Sequence, residues 1–342
     1  MSDISVNKLT NFRSHKVKDR IKNRKSMNFI QAKNSFCKEM CHFSFNAIPI
    51  LRLLSFIMII MIASEHLLVS AGMVTTSASA PLRTIIVGGS SGMGKACAKS
   101  VVARGGKVLI VSRSLEKLEK AAIEIRQSCN VDEDENIVQT YVLDASMEED
   151  VKAFADSLDT DVYDTLVVSC AGRAPHGSIV SLESEKVQDL FGTKFWSAYY
   201  LSKYISPKLK DYGSIAFVGG ILNRRPGINC APLAATNGAL EGLTRALALE
   251  FGPRLRVNCL SPGFCDTERF DHMDEKKRSA MLKNTAESLP LKRVGMPEDM
   301  GEALYYLLSA PFVTGIVLDC DGGHGIRQYA SATSDPMRNK KL

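Results

Sequence analysis

From Leu82 onward, short apolar runs alternate with amphipathic stretches. The runs at 82–87, 107–111, 137–142, 165–169, 214–218, 256–260 and 316–319 have the length and the β-branched content of buried strands. Between them the pattern predicts helices over 93–104, 115–127, 148–157, a long stretch ending at Lys208, 233–251 and 297–308. In the fifth of these, Leu240, Leu243, Leu247 and Phe251 recur at three- and four-residue steps, which marks one buried face. Strands alternating with helices imply a single α/β domain, a Rossmann-type doubly wound parallel sheet of about seven strands covered on both faces. Ligands of such sheets bind outside the carboxyl ends of the strands.

The first strand runs into Gly88-Gly-Ser90-Ser91-Gly92-Met93-Gly94, and a helix opens directly after it. Backbone N–H groups and a helix N-terminus then face an anionic ligand, here a dinucleotide pyrophosphate. Gly88 permits the tight turn, Gly92 lets phosphates approach the backbone, and Gly94 lets the helix pack on the strand. The second strand ends Val111-Ser112-Arg113-Ser114, where NAD sites usually place a carboxylate for the ribose 2′-hydroxyl. An arginine and two hydroxyls suit a 2′-phosphate instead, which puts NADP (as NADPH) ahead of NAD.

Charge is unevenly distributed. Residues 1–46 carry ten Lys and Arg against Asp3, Asp19 and Glu39, a net +7. The whole chain is +6, so the remainder is −1, and a nucleic-acid partner is not expected. Residues 53–63 form an uncharged apolar run, too short to span a bilayer comfortably, with Val69-Ser70-Ala71 as a small-residue cleavage site. Three readings of residues 1–80 stay open: an organelle or secretory-pathway address, a membrane anchor, or an upstream extension with Met73 as the true start and a cytoplasmic product. They are excluded from the core, which is expected at 81–326, followed by a polar tail at 327–342. Asp132 to Glu135 reads as a solvated acidic loop. The nine cysteines show no metal-ligand spacing and read as reduced, with Cys37 and Cys41 in the leader; no metal is expected.

The order of these motifs resembles the short-chain dehydrogenase/reductase superfamily over roughly 82–326. Gly88, Gly92 and Gly94 match its glycine motif, with Val87 where Thr is usual. The resemblance implies that Asp144 contacts the adenine amino group. Ser169-Cys170-Ala171-Gly172 resembles the family's Asn-Asn-Ala-Gly segment, with both asparagines replaced. Arg256-Val-Asn258, Ser261-Pro262-Gly263 and Thr267 look like the segment that seats the nicotinamide. Arg293 to Glu298 and Asp319 to Gly323 fit the family's C-terminal part. A small carbonyl or alcohol substrate and a homo-oligomer are the expected partners.

At the catalytic positions the chain departs from the family. Leu233 falls where the family has its Tyr, Asn237 where it has Lys, Gly220 where it has Ser, and Lys194 where it has Asn. Leucine carries no exchangeable proton and glycine no hydroxyl. An ammonium and an amide are both retained, exchanged between neighbouring elements, so Lys194 and Asn237 are the candidate catalytic pair. Tyr199 with Lys203 and Tyr204 with Lys208 repeat the Tyr-x-x-x-Lys spacing but precede the fifth strand, and are read as helix-surface or interface residues. His176, after the fourth strand, is either a replacement proton donor or an exposed loop residue. Three functions follow: an NADP-dependent oxidoreductase with a modified proton path; a cofactor-binding protein without turnover, a sensor or a partner of an active relative; or a protein membrane-associated through its leader, with the domain facing a lipid-derived substrate.

Overall fold

Strand β1 (Arg83–Val87) lies inside a seven-stranded, all-parallel sheet in the order β3-β2-β1-β4-β5-β6-β7. The structure, a computed structural model, describes residues 81–131, 136–172 and 174–326. The leader, the acidic loop at 132–135 and the tail at 327–342 lie outside the described residues. Around β1 stand β2 (Lys107–Ser112), β3 (Val138–Val142), β4 (Thr165–Val168), β5 (Gly213–Val218), β6 (Leu255–Pro262) and β7 (Val317–Cys320). The expected doubly wound sheet is present, with the chain crossing from β3 back to β4 beside β1.

Side-chain alternation divides the core. Ile86, Ile110, Val167 and Leu260 face one layer, made of α1 (Gly92–Val102), α2 (Leu115–Cys129) and α8 (Pro297–Ser309). Ile85, Val87, Leu109, Phe217 and Val257 face the other, made of α3 (Glu148–Ser157), α5 (Ser197–Ile205) and α6 (Ala231–Phe251). Leu240 is buried against this layer, and Leu243, Leu247 and Phe251 pack on it, as their spacing predicts. Between α1 and α8 the fit is close: a Cβ on Gly301 would lie 2.7 Å from the Ala96 backbone.

Two elements depart from the sequence pattern. The long stretch ending at Lys208 is four pieces: α4 (Ser184–Phe191), a π-turn at Gly192–Trp196, α5, and a 3-10 turn at Ser206–Lys208. Lys194 lies within the π-turn and is buried there, at 6% exposure. A further helix, α7 (Glu275–Ser288), was not predicted, because it buries no residue and has no apolar stripe. It is held instead by the Asp274 N-cap and by Arg278, which pairs with Asp266 at 2.7 Å and Asp271 at 2.9 Å.

Candidate functional site

The glycine turn at the end of β1 has the geometry its sequence implies. Gly88 and Gly92 have φ of +87° and +51°, and a Cβ on Gly94 would collide with the Gly88 carbonyl. Ser169 replaces an asparagine of the family pattern. Its hydroxyl donates to the Val87 and Gly88 carbonyls at 3.3 and 3.1 Å and ties the turn to β4.

Ser91 precedes α1 without capping it through its side chain. Glu268 reaches that helix end from the segment after β6: Gly92 N–H donates to Glu268 Oε2 at 2.9 Å. Lys95 holds the other carboxylate oxygen at 2.8 Å and Glu124 at 2.8 Å. Partial burial would raise the Glu268 carboxyl, but the Lys95 bridge and backbone N–H donors outweigh it and hold it below its usual range. Sequence reading missed Glu268, since a glutamate one residue past Thr267 carries no signal until the chain folds back.

At the end of β2, Arg113 is exposed and Ser112 half-buried. Ser114 serves as the N-cap of α2, accepting from Lys117 N–H at 3.4 Å. Asp144 accepts from the Ser146 N–H at 3.0 Å and its hydroxyl at 2.6 Å. Burial opposes its ionisation, yet these bonds and the nearby Arg113 charge hold its carboxyl below the usual range. Ala171 and Gly172 follow β4, with Gly172 against Thr193. Pro262 ends β6, Gly263 lies against Asp321, and half-buried Thr267 is beside Gly92.

Arg256 and Asn258, carried over from the resemblance as part of the nicotinamide seat, face elsewhere. Arg256 donates to the carbonyls of Leu307, Leu308 and Val313, closing the C-terminal end of α8. Asn258 donates to Val313 O at 2.9 Å and accepts from Ile316 N–H at 3.2 Å, so it fastens β6 to the segment before β7.

The catalytic positions converge on Gly219 and Gly220, at the carboxyl end of β5. Lys194 Nζ donates to Gly219 O at 2.9 Å. Burial lowers its ammonium to about 8 against an opposing contribution from Cys259, and nearby Arg269 adds a smaller lowering. Asn237 is 1% exposed, and its Oδ1 has no hydrogen-bond partner. Gly220 has φ +153°, and a Cβ there would meet Asn237 Nδ2 at 2.8 Å. Glycine and Asn237 are therefore fitted to one another, and a serine requires Asn237 to move. Leu233 is half-buried on the first turn of α6.

Both Tyr-x-x-x-Lys pairs are bound toward α3. Lys203 and Tyr204 reach the same Glu148 oxygen at 2.8 and 2.9 Å, Lys208 donates to Leu158 O at 3.1 Å, and Tyr199 is 42% exposed. His176 is exposed, with Nδ1 3.5 Å from Cys230 Sγ. The seven described cysteines are free, and no metal-binding cluster occurs among the described residues.

Residues 87–325 match the family model described as enoyl-(acyl carrier protein) reductase. A short-chain dehydrogenase/reductase of Stachybotrys chlorohalonatus is 32% identical over 248 residues, 70% of this chain and 95% of that protein. The crystal structure of a small-chain dehydrogenase in complex with NADPH is 30% identical, with a TM-score of 0.58 over 71% of this chain and 97% of that one. A short-chain oxidoreductase of Pseudomonas aeruginosa PAO1 containing an atypical catalytic centre is 25% identical, with a TM-score of 0.63 over 73% and 98%.

Proposed function

The chain belongs to the short-chain dehydrogenase/reductase superfamily, and from that membership we propose an NADPH-dependent oxidoreductase acting on a small carbonyl or alcohol, with Lys194 as its proton donor. The observation that carries this reading is the buried Lys194 ammonium, held at Gly219 O beside Asn237. One of its N–H groups is spent on that carbonyl, which leaves two for a substrate oxygen and a ribose hydroxyl. An ammonium lowered to about 8 is matched to proton transfer near neutral pH, which is where general acids are most effective.

The residues present suit the dinucleotide. The orphaned acceptor Asn237 Oδ1 fits a ribose hydroxyl, the Gly88–Gly94 turn and Lys95 fit a pyrophosphate once Glu268 moves away, and Arg113 with Ser112 fits a 2′-phosphate. The relative solved with NADPH supports the same choice. Asp144, Ala171, Gly172, Pro262, Gly263 and Thr267 complete the cofactor side in this reading. Bound NADPH supplies the hydride. Lys194 protonates the substrate oxygen as charge develops there, Asn237 orients, and Leu233 presents an apolar wall where the family has a phenol. The exposed Trp196 and Tyr199 on the α5 side suit contact with a second copy. An atypical centre in a related oxidoreductase supports turnover over cofactor binding alone.

The deciding experiment is single-turnover hydride transfer from NADPH against a carbonyl panel, run beside an equilibrium NADPH titration. Transfer that Lys194→Ala removes, with NADPH still bound, supports the reading. Tight NADPH binding without transfer to any carbonyl would instead establish a sensor or partner role.

A further inference from the structure

Two loops leaving the carboxyl ends of β4 and β5 meet near the site. Gly177 N–H donates to Asn229 O at 3.1 Å, and next to this bridge His176 Nδ1 lies 3.5 Å from Cys230 Sγ. Cys230 immediately precedes α6, one turn before Leu233. The thiol's other contact, to Ile228 O at 3.4 Å, is weak. A nucleophile and a base within reach of one another is the arrangement by which proteins activate sulfur.

The setting separates this thiol from four of the others. Burial pushes Cys97, Cys170, Cys259 and Cys265 up to about 12, which keeps them protonated and inert. Cys230 contacts an exposed imidazole, and the same two loops carry Ile179, Val180 and Ile228 at 76%, 91% and 92% exposure. Three apolar side chains held in water on the loops that carry a thiol–imidazole pair favour a ligand with a hydrocarbon portion.

We propose that Cys230, with His176 as its base, is a site of covalent addition for apolar α,β-unsaturated carbonyl compounds. His176 takes the thiol proton while the sulfur electron pair bonds to the β-carbon. The π pair of the C=C bond moves to the carbonyl as an enolate, and the imidazolium returns the proton to the α-carbon. The net change adds S–H across C=C, so no oxidant, reductant or cofactor is required. A conjugated carbonyl suits sulfur because both partners are soft and polarisable. Ile179, Val180 and Ile228 take up the hydrocarbon tail.

The test uses the full chain without nucleotide and two probes with the same reactive head, methyl vinyl ketone and pentyl vinyl ketone. Adducts are timed by intact mass and located by peptide mapping. The expected result is one early adduct on Cys230, absent in Cys230→Ser and slowed about tenfold or more in His176→Gln. Pentyl vinyl ketone should react faster than its short analogue, and Ile228→Ser should remove that advantage without slowing methyl vinyl ketone. Thermal melts of each variant check that the fold is retained, and a destabilised His176→Gln is replaced by His176→Asn. First labelling at another cysteine, or a wild-type rate in the folded His176 variant, overturns the proposal.

Discussion

The Gly92 N–H at the start of α1 donates to the carboxylate of Glu268, a residue 176 positions later in the chain, at 2.9 Å. This carboxylate occupies the helix end where an anionic ligand belongs. Its second oxygen draws Lys95 into the same arrangement. In the proposed reading Glu268 is an internal competitor for the phosphate seat and swings out as the cofactor enters.

Removing that competitor should tighten NADPH binding. We expect Glu268→Ala to gain about 1 kcal/mol, roughly fivefold in Kd, because an anion at the helix end is worth about that much. Lys95→Ala should weaken binding by a similar factor. Fluorescence titration at fixed ionic strength reads both, and weaker NADPH binding by Glu268→Ala would show that the carboxylate does not compete.

Arg113 is exposed at the end of β2, where no carboxylate stands. Replacing it with Ala should cost NADPH roughly 1.5–3 kcal/mol, the range for a hydrogen bond to a charged group, and leave NADH nearly unchanged. Equal losses for the two cofactors would remove Arg113 from 2′-phosphate recognition.

Lys194 links pH to both rate and stability. Its ammonium titrates near 8 in the fold against an ordinary value of 10.5, so between these limits the unfolded chain binds more protons. The lysine's contribution to stability therefore rises with pH across that window, and its cost is greatest below 8. At pH 7, Lys194→Met should stabilise the fold by about 1–3 kcal/mol, less than the full shift because Gly219 O loses its donor. That advantage should vanish by about pH 10.5 in melts across the series. Carbonyl reduction should fall as pH rises through about 8. A flat rate profile would mean the proton comes from elsewhere.

Gly301 brings α8 against α1. A methyl group there meets the Ala96 backbone at 2.7 Å and cannot be relieved by a side-chain rotation. Gly301→Ala should destabilise by about 1–3 kcal/mol, visible as a lower Tm. An unchanged Tm would mean that α1 and α8 separate enough to admit the methyl group.

The exchanged pair was legible in part. The alignment of motifs places Lys194 and Asn237 at opposite family positions, but it cannot tell an exchange from two unrelated substitutions. The structure adds that the two lie at neighbouring glycines: Lys194 bonds to Gly219, and Asn237 packs against Gly220.

The strands, the glycine turn and the buried stripe of α6 were determined by the sequence itself, because alternation, helical spacing and φ-permissive residues are local properties read within a few positions. Helix α7 escaped because its stability rests on the Asp274 N-cap and on Asp266 and Asp271 meeting Arg278, with no apolar stripe to announce it. The individual roles of Arg256 and Asn258 within their motif were hidden for the same kind of reason: a motif gives a residue's place in the chain, while its partners at Leu307 and Val313 depend on how α8 packs. Glu268 at Gly92, Ser169 at Gly88 and His176 at Cys230 join segments 176, 81 and 54 residues apart. Only the assembled sheet and its loops set such distances, since a hydrogen bond needs its partners within about 3 Å and sequence separation carries no information on that scale.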